Sequence, residues 1–175
     1  MFKKAVLACA TAVLLAFGAT ALAGCGGQSA EDLIRDNLSA EFDQVKNLDE
    51  EFLNEVTADA STSGLEEFGI DAVELMKAYF GGFDYVIDDV TVDGDTATAT
   101  VTLTCKSFDD YMNAITDVAM SASSDADFGA AIIEAVNAIE PVQIDPIEIP
   151  YEKVDNTWEP TAEGEQALYS ALFEG

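Results

Sequence analysis

Histidine is absent from this 175-residue chain. Hydrolases of the Ser-His-Asp type need an imidazole as the general base, and imidazole is a common ligand of catalytic zinc. The absence therefore excludes that triad and every histidine-ligated metal site. No other motif in the sequence assigns a catalytic residue, a metal site or a cofactor, so a noncatalytic protein is the favoured interpretation.

Basic residues are also scarce, with seven lysines and arginines against 34 aspartates and glutamates and a net charge of −27 at pH 7. So negative a chain repels phosphate groups, which argues against binding to nucleic acid or to an anionic membrane surface. We therefore expect no nucleic-acid partner. A solvated acidic surface is the simplest interpretation of this charge.

The N-terminus carries a targeting signal. Lys3 and Lys4 precede an apolar stretch over residues 5–21, which is short and rich in small residues for a permanent membrane span. The next four residues, Leu22-Ala23-Gly24-Cys25, resemble the lipobox of bacterial lipoproteins. The resemblance implies cleavage between Gly24 and Cys25 and a diacylglyceryl thioether on Cys25. An ordinary secretory signal with a chance cysteine is the alternative interpretation.

The predicted cleavage defines three parts of the chain. Residues 1–24 are the signal peptide, residues 25–28 are the lipidated cysteine and a short tether, and residues 29–175 form a single α+β domain. The mature chain keeps five basic and 34 acidic residues, which gives a net charge of −29. We expect it at the bacterial cell membrane, anchored by the lipid on Cys25 and facing outside the cytoplasm. Cys105 is then left without a disulfide partner and is expected to be buried.

The strongest fold signal is a β-hairpin predicted over residues 83–106. Two β-rich runs are joined by Asp93-Gly94, a typical hairpin turn. The second run alternates apolar residues with threonine, so one face is apolar and the other carries threonine. With Asp93 and Gly94 as the two turn residues, Val90 faces Ala97 across the hairpin.

The same register fixes the faces of the first hairpin strand. It places Val86 on the apolar face, and it places Tyr85 and Ile87 on the threonine face. Asp88 then points toward the apolar side, where a carboxylate is unusual. A local bulge that turns Asp88 outward is the alternative.

Helix signals flank this hairpin. Residues suited to cap helices occur at Ser29, Asp49, Asp71, Ser107 and Thr161. A second, shorter hairpin turns at Asp155-Asn156 and places Trp158 opposite Lys153. This order predicts an α+β fold in which N-terminal helices pack on a curved antiparallel β-sheet, with a helical insertion after the central hairpin and a C-terminal helix.

Two turns resemble those of a known superfamily. Val-Asp-Gly-Asp-Thr-Ala at residues 92–97 and Lys-Val-Asp-Asn-Thr-Trp at residues 153–158 are similar to turns of the nuclear-transport-factor-like superfamily, and more closely to its uncharacterised bacterial lipoproteins. The resemblance covers roughly residues 65–160. It implies a cone-shaped α+β domain with a pocket between sheet and helices, which some members use for isomerase or dehydratase chemistry and many use only for binding. The helical segment over residues 107–139 departs from the compact form of the superfamily.

The resemblance implies a candidate pocket. Its predicted residues are Tyr79, Tyr85, Asp88, Tyr151 and Trp158. Ordinary packing of aromatic side chains is the alternative interpretation of this set. The favoured function is a noncatalytic, lipid-anchored protein that binds a small molecule or another protein. The alternative is an enzyme of the isomerase or hydrolase kind that uses a Tyr–Asp pair in the conical pocket.

Overall fold

The computed structural model of this chain describes residues 22–23, 28–58, 65–121 and 125–174. They form the predicted α+β fold, in which helices pack on the apolar face of an antiparallel sheet. The predicted cleavage site at Gly24 and the predicted lipidation site at Cys25 lie outside the described residues. Among those described, no helix is both long enough and apolar enough to cross a membrane.

The elements alternate between groups of helices and groups of strands. The helices are α1 (Ala30–Asn47), α2 (Glu50–Thr57), α3 (Ala72–Phe80), α4 (Phe108–Ser121), α5 (Asp125–Asn137) and α6 (Ala162–Phe173), with a short 3₁₀ turn at Leu65–Phe68. The strands are β1 (Leu22–Ala23), β2 (Asp84–Asp93), β3 (Thr96–Cys105), β4 (Val142–Gln143), β5 (Ile147–Val154) and β6 (Thr157–Pro160). The pair α4 and α5 is the predicted helical insertion after the central hairpin.

The sheet has the strand order β1-β6-β5-β3-β2, and β4 pairs with the end of β3. Every pairing is antiparallel. At one edge, Leu22 and Ala23 pair with Trp158 and Thr157 of β6. Both residues of β1 belong to the predicted signal peptide, so cleavage before Cys25 would remove β1 and leave β6 at the edge.

Four of the five predicted helix caps have the expected hydrogen bonds. The side chains of Ser29, Asp71, Ser107 and Thr161 accept from backbone N–H groups in the first turns of α1, α3, α4 and α6. Such bonds satisfy amide groups that have no partner inside the helix. Asp49 occupies the cap position of α2 without making a side-chain bond. Local capping chemistry therefore determines where most of these helices begin.

The central hairpin is present, but its predicted register is wrong by two residues. Gly94 and Asp95 form the turn, Asp93 pairs with Thr96, and Val90 pairs with Ala99. Gly94 has a φ of 65°, a conformation that glycine adopts without steric cost. Because the shift is even, Val90 still faces the apolar side.

The faces predicted for the start of β2 are also wrong, because a bulge interrupts the strand between Ile87 and Asp89. One extra residue reverses the alternation before it. Tyr85 therefore pairs with Leu103 on the apolar face, whereas Val86 is 58% exposed on the other face. The bulge turns Asp88 outward, as the alternative interpretation had it.

The core lies between the sheet and the helices. Ile34, Leu38 and Phe42 of α1 are at most 1% exposed, because they recur along the helical face that covers β2. Opposite them stand the apolar positions of β3, from Ala99 to Leu103. Cys105 ends this row and is buried, as predicted, and burial raises the pKa of its thiol.

Candidate functional site

A cleft opens between the start of α1 and the β5–β6 hairpin. Its volume is about 170 Å³. It is lined by Gln28, Ala30, Leu33, Lys153, Asn156 and Trp158. The lining combines one cation, two side-chain amides, an indole and two small or aliphatic groups, so it is more polar than the mostly apolar lining of a typical small-molecule pocket.

The β5–β6 turn builds one wall of this cleft. Asp155 and Asn156 both have positive φ, 49° and 68°, which suits a tight two-residue hairpin turn. The turn pairs Lys153 with Trp158, as predicted. The Lys153 ammonium lies 5.8 Å from the centre of the indole, within range of a cation–π contact.

Lys153 differs from the other cations that the structure describes. The ammonium groups of Lys46 and Lys77 lie 2.7 and 2.8 Å from the carboxylates of Asp84 and Glu74. Arg35 contacts Glu31 and a backbone carbonyl, and Lys106 is buried against two carbonyl groups. Within residues 28–58, 65–121 and 125–174, Lys153 has no carboxylate within ion-pair distance. Its ammonium instead contacts the indole of Trp158.

A buried polar cluster lies further along α1 and β5, two of the elements that line the cleft. On α1, Asn37 comes one turn after Leu33 and donates to Glu41 over 3.2 Å. On β5, Tyr151 precedes Lys153 by two residues and so shares its face. Asn37 and Glu41 are only 8% and 7% exposed. Burial, and secondarily the Glu41 carboxylate, raise the pKa of Tyr151.

This polar cluster was missed at the sequence level, although a signal for it exists. The apolar stripe of α1 predicts that positions 34, 38, 42 and 45 face the core. Positions 37 and 41 fall on the same helical face and carry an amide and a carboxylate. Polar residues at core positions of a helix are a reason to search for a polar site.

The five predicted pocket residues do not lie together. Trp158 lines the cleft and is 3% exposed, and Tyr151 lies on the neighbouring strand. Tyr79 lies in an aromatic cluster with Phe80, Tyr111 and Phe173, and its hydroxyl donates to the backbone carbonyl of Leu172. Burial raises the pKa of Tyr79, so its phenol stays protonated in the folded protein.

Tyr85 and Asp88 occupy two further places. The ring of Tyr85 packs on Phe42, with 5.0 Å between centroids, and its hydroxyl donates to Asp43 over 2.8 Å. Burial, and secondarily the hydrogen bond to Asp43, raise the pKa of Tyr85. Asp88 accepts a 2.6 Å hydrogen bond from the Thr102 hydroxyl on the threonine face. The predicted Tyr–Asp pair with Asp88 is therefore not assembled.

The described residues contain no group of three or more aspartate, glutamate or cysteine side chains positioned to hold a metal ion. The cleft beside Trp158 is a candidate ligand site among the described residues. The cleft offers one cation, two amides and an indole for the recognition of a ligand.

Comparison with known proteins gives little to add. No protein-family model matches the chain, and no curated protein matches it. A solved structure that does match is a candidate lipoprotein, YcdA, from Bacillus subtilis strain 168, with a TM-score of 0.43 and 15% identity. The match covers 85% of this chain but 51% of the other, so the chain spans about half the length of that protein. A likeness this distant identifies neither a family nor a function.

Proposed function

We propose that this protein is a lipid-anchored, extracytoplasmic binding protein of a bacterial cell membrane, and that it holds a small ligand in the cleft beside Trp158 without catalysing a reaction. The proposed lipid anchor is supported by the Leu22-Ala23-Gly24-Cys25 box, which follows a basic segment and then an apolar segment. Membership of the cone-shaped nuclear-transport-factor-like superfamily is part of the same proposal, and it rests on the turns at residues 92–97 and 153–158.

The position of the cleft supports this role. Gln28 lines the cleft and follows Cys25 by three residues. Three residues span at most about 10 Å when fully extended. A lipid on Cys25 would therefore hold the mouth of the cleft beside the bilayer surface, where the protein meets molecules that pass through the envelope.

A second candidate function is an enzyme that uses a tyrosine–carboxylate pair. The hydrogen bond from Tyr85 to Asp43 is the observation that favours it. Because the pKa of Tyr85 is raised, its phenol would serve as a general acid rather than as a base. Replacing Tyr85 by phenylalanine would abolish such an activity and leave binding in the cleft unchanged.

The anchoring is tested by expressing the full chain in a bacterium supplied with labelled palmitate. We expect label in the protein and recovery with the membranes. The Cys25→Ala variant should lose both, whereas the control Cys105→Ser should keep both. An unlabelled wild-type protein, or a labelled Cys25→Ala variant, would overturn the proposed anchor.

Ligand binding is tested separately on the mature protein extracted from its own membrane. Native mass spectrometry should show a small molecule bound in addition to the protein, and the Trp158→Leu variant should lose it. The binding role is contradicted if the wild-type protein carries no small molecule after gentle extraction and takes up none from a cell extract. That result would not bear on the proposed anchor.

A further inference from the structure

We infer that the cleft beside Trp158 binds a small zwitterion of the α-amino-acid class, with the ligand carboxylate on the Lys153 ammonium. This inference rests on the proposed binding function and makes it specific. It depends on three features of the described residues: the partner of Lys153, the charge around the cleft, and the size and lining of the cleft.

The first feature is the availability of Lys153. Its ammonium contacts the Trp158 ring at 5.8 Å and has no carboxylate within ion-pair distance in the described part of the chain. A cation without an ion-pair partner is unexpected where acidic residues outnumber basic ones by 34 to seven. A lysine in this state at the mouth of a cleft can accept the carboxylate of a ligand as a charged hydrogen-bond partner.

The second feature is the charge around the cleft. Exposed acidic residues adjoin its lining in sequence on both walls, since Asp32 precedes Leu33 and Asp155 precedes Asn156. A ligand with a net negative charge would be repelled by these groups and by the −27 charge of the chain. A zwitterion has no net charge, and its ammonium group is favoured by the same carboxylates. The charges therefore select a ligand that carries one group of each sign.

The third feature is the size and lining of the cleft. Its volume of about 170 Å³ is below the roughly 300–1,000 Å³ of pockets that enclose drug-sized ligands. That space is enough for a small metabolite. Most of the accessible lining is polar, with a small apolar part from Ala30, Leu33 and the indole of Trp158, which suits a ligand held chiefly by its charged groups. The Asn156 and Gln28 amides provide further polar contacts at the rim.

The test uses the fluorescence of Trp158, the single tryptophan of the chain. The mature protein is titrated with each protein amino acid other than tryptophan at millimolar concentration, with calorimetry as a second readout. We expect at least one amino acid to change the emission saturably. Its C-terminal amide, which lacks the carboxylate, and its deaminated acid, which lacks the ammonium, should each bind at least about tenfold more weakly.

The variant Lys153→Met keeps the apolar stem of the side chain and removes its charge. We expect this variant to bind the responding amino acid about tenfold or more weakly than the wild type, with an unchanged circular dichroism spectrum. The control Lys77→Met removes a lysine of α3 that is paired with Glu74, and it should bind as the wild type does.

Two results would overturn the inference. In one, no amino acid changes either the emission or the heat. In the other, the Lys153→Met variant binds the responding amino acid as tightly as the wild type does, or the wild type binds the deaminated acid as tightly as the amino acid itself. If native mass spectrometry then finds a different small molecule bound, the binding function stands and only the ligand class is wrong.

Discussion

Lys106 shows how one residue joins two parts of this fold. Its side chain is 4% exposed, and its ammonium donates to the carbonyl oxygens of Ala78 and Val136 over 2.7 and 2.8 Å. Both carbonyls belong to the last turns of helices, α3 and α5, where carbonyl groups have no partner inside the helix and carry partial negative charge. Burial lowers the pKa of Lys106, and the two carbonyls stabilise the cation.

Replacing Lys106 by methionine should therefore destabilise the protein. Two buried carbonyl groups would lose their donor, at a cost of about 2–4 kcal/mol in the free energy of unfolding. Urea unfolding measures this change. The control Lys77→Met removes a partly exposed lysine and should leave the midpoint nearly unchanged. Equal midpoints for the two variants would show that the Lys106 contacts do not contribute to stability.

Two buried tyrosines predict a loss of stability in alkali. Burial raises the pKa of Tyr79 and Tyr151 above their ordinary value of 10.0, so above that pH the unfolded chain releases protons that the folded protein keeps. The free energy of unfolding should therefore fall as pH rises above about 10, by about 1.4 kcal/mol per pH unit for each residue. Urea unfolding between pH 8 and pH 11 measures the slope.

Matched variants separate this effect from general alkaline damage. Tyr151→Phe and Tyr79→Phe should each reduce the slope of the pH dependence by the contribution of one buried phenol. A profile that is equally steep in Tyr151→Phe would contradict the assignment.

At the scale of elements, the sequence predicts well what local chemistry determines. The starts of α1, α3 and α6 follow from Ser29, Asp71 and Thr161, because a cap acts within three residues of its own position. The short hairpin and its Lys153–Trp158 pair follow from the turn at Asp155 and Asn156 for the same reason.

The first strand of the long hairpin was not predictable in this way. Its bulge frees the carbonyl of Ile87, which accepts a 2.9 Å hydrogen bond from Arg35 on α1. That contact joins residues 52 positions apart in sequence. The alternation of β2 therefore depends on a helix that packs on it, and a strand considered alone shows only a misplaced Asp88.

One wall of the candidate site was predictable from the sequence, and the other was not. Trp158 and its cross-strand neighbour were expected together, and the structure places both in the cleft wall. The other wall comes from the start of α1, which no local pattern connects to the short hairpin. The helix that covers a sheet edge is decided by packing of the whole chain, so the sequence can show that Asn37 and Glu41 face the core but not that they lie near this hairpin.

The helical insertion makes a close backbone contact with the segment before α3. Gly129 of α5 lies against the backbone at Gly69, and a Cβ atom there would overlap the Gly69 carbonyl oxygen and lie 2.6 Å from the carbonyl carbon. Gly129→Ala should therefore cost about 2 kcal/mol in the free energy of unfolding, although alanine is the better helix former. Urea unfolding measures it.

The neighbouring residue provides the control for this prediction. Ala130 is exposed on the same helix, so Ala130→Gly reports helix propensity alone and should cost about 1 kcal/mol. If Gly129→Ala instead stabilised the protein, α5 would not pack backbone to backbone at this point.

At the scale of the whole molecule, the net charge of −27 opposes folding. The ion pairs of Arg35, Lys46 and Lys77 are partly exposed and offset little of this repulsion. Raising NaCl from about 10 mM to about 150 mM shortens the screening length from roughly 30 Å to roughly 8 Å. The urea midpoint should therefore rise with salt, and urea rather than guanidinium chloride is needed because it adds no ions. A midpoint that falls with salt would show that attractive pairs outweigh the repulsion.

The proposed anchor would connect the scales, because it would decide which chain folds and where the cleft lies. Cleavage before Cys25 would remove Lys3, Lys4 and β1, raise the net negative charge to −29 and expose the edge of β6. The cleft would then begin three residues from the lipid, through Gln28.

The most direct test of this account is the intact mass of the protein extracted from bacterial membranes. We predict the mass of a chain that begins at Cys25 and carries a diacylglyceryl group on that cysteine. A chain that starts at another residue, or an unmodified Cys25, would contradict the lipid anchor and the membrane-facing cleft that depends on it.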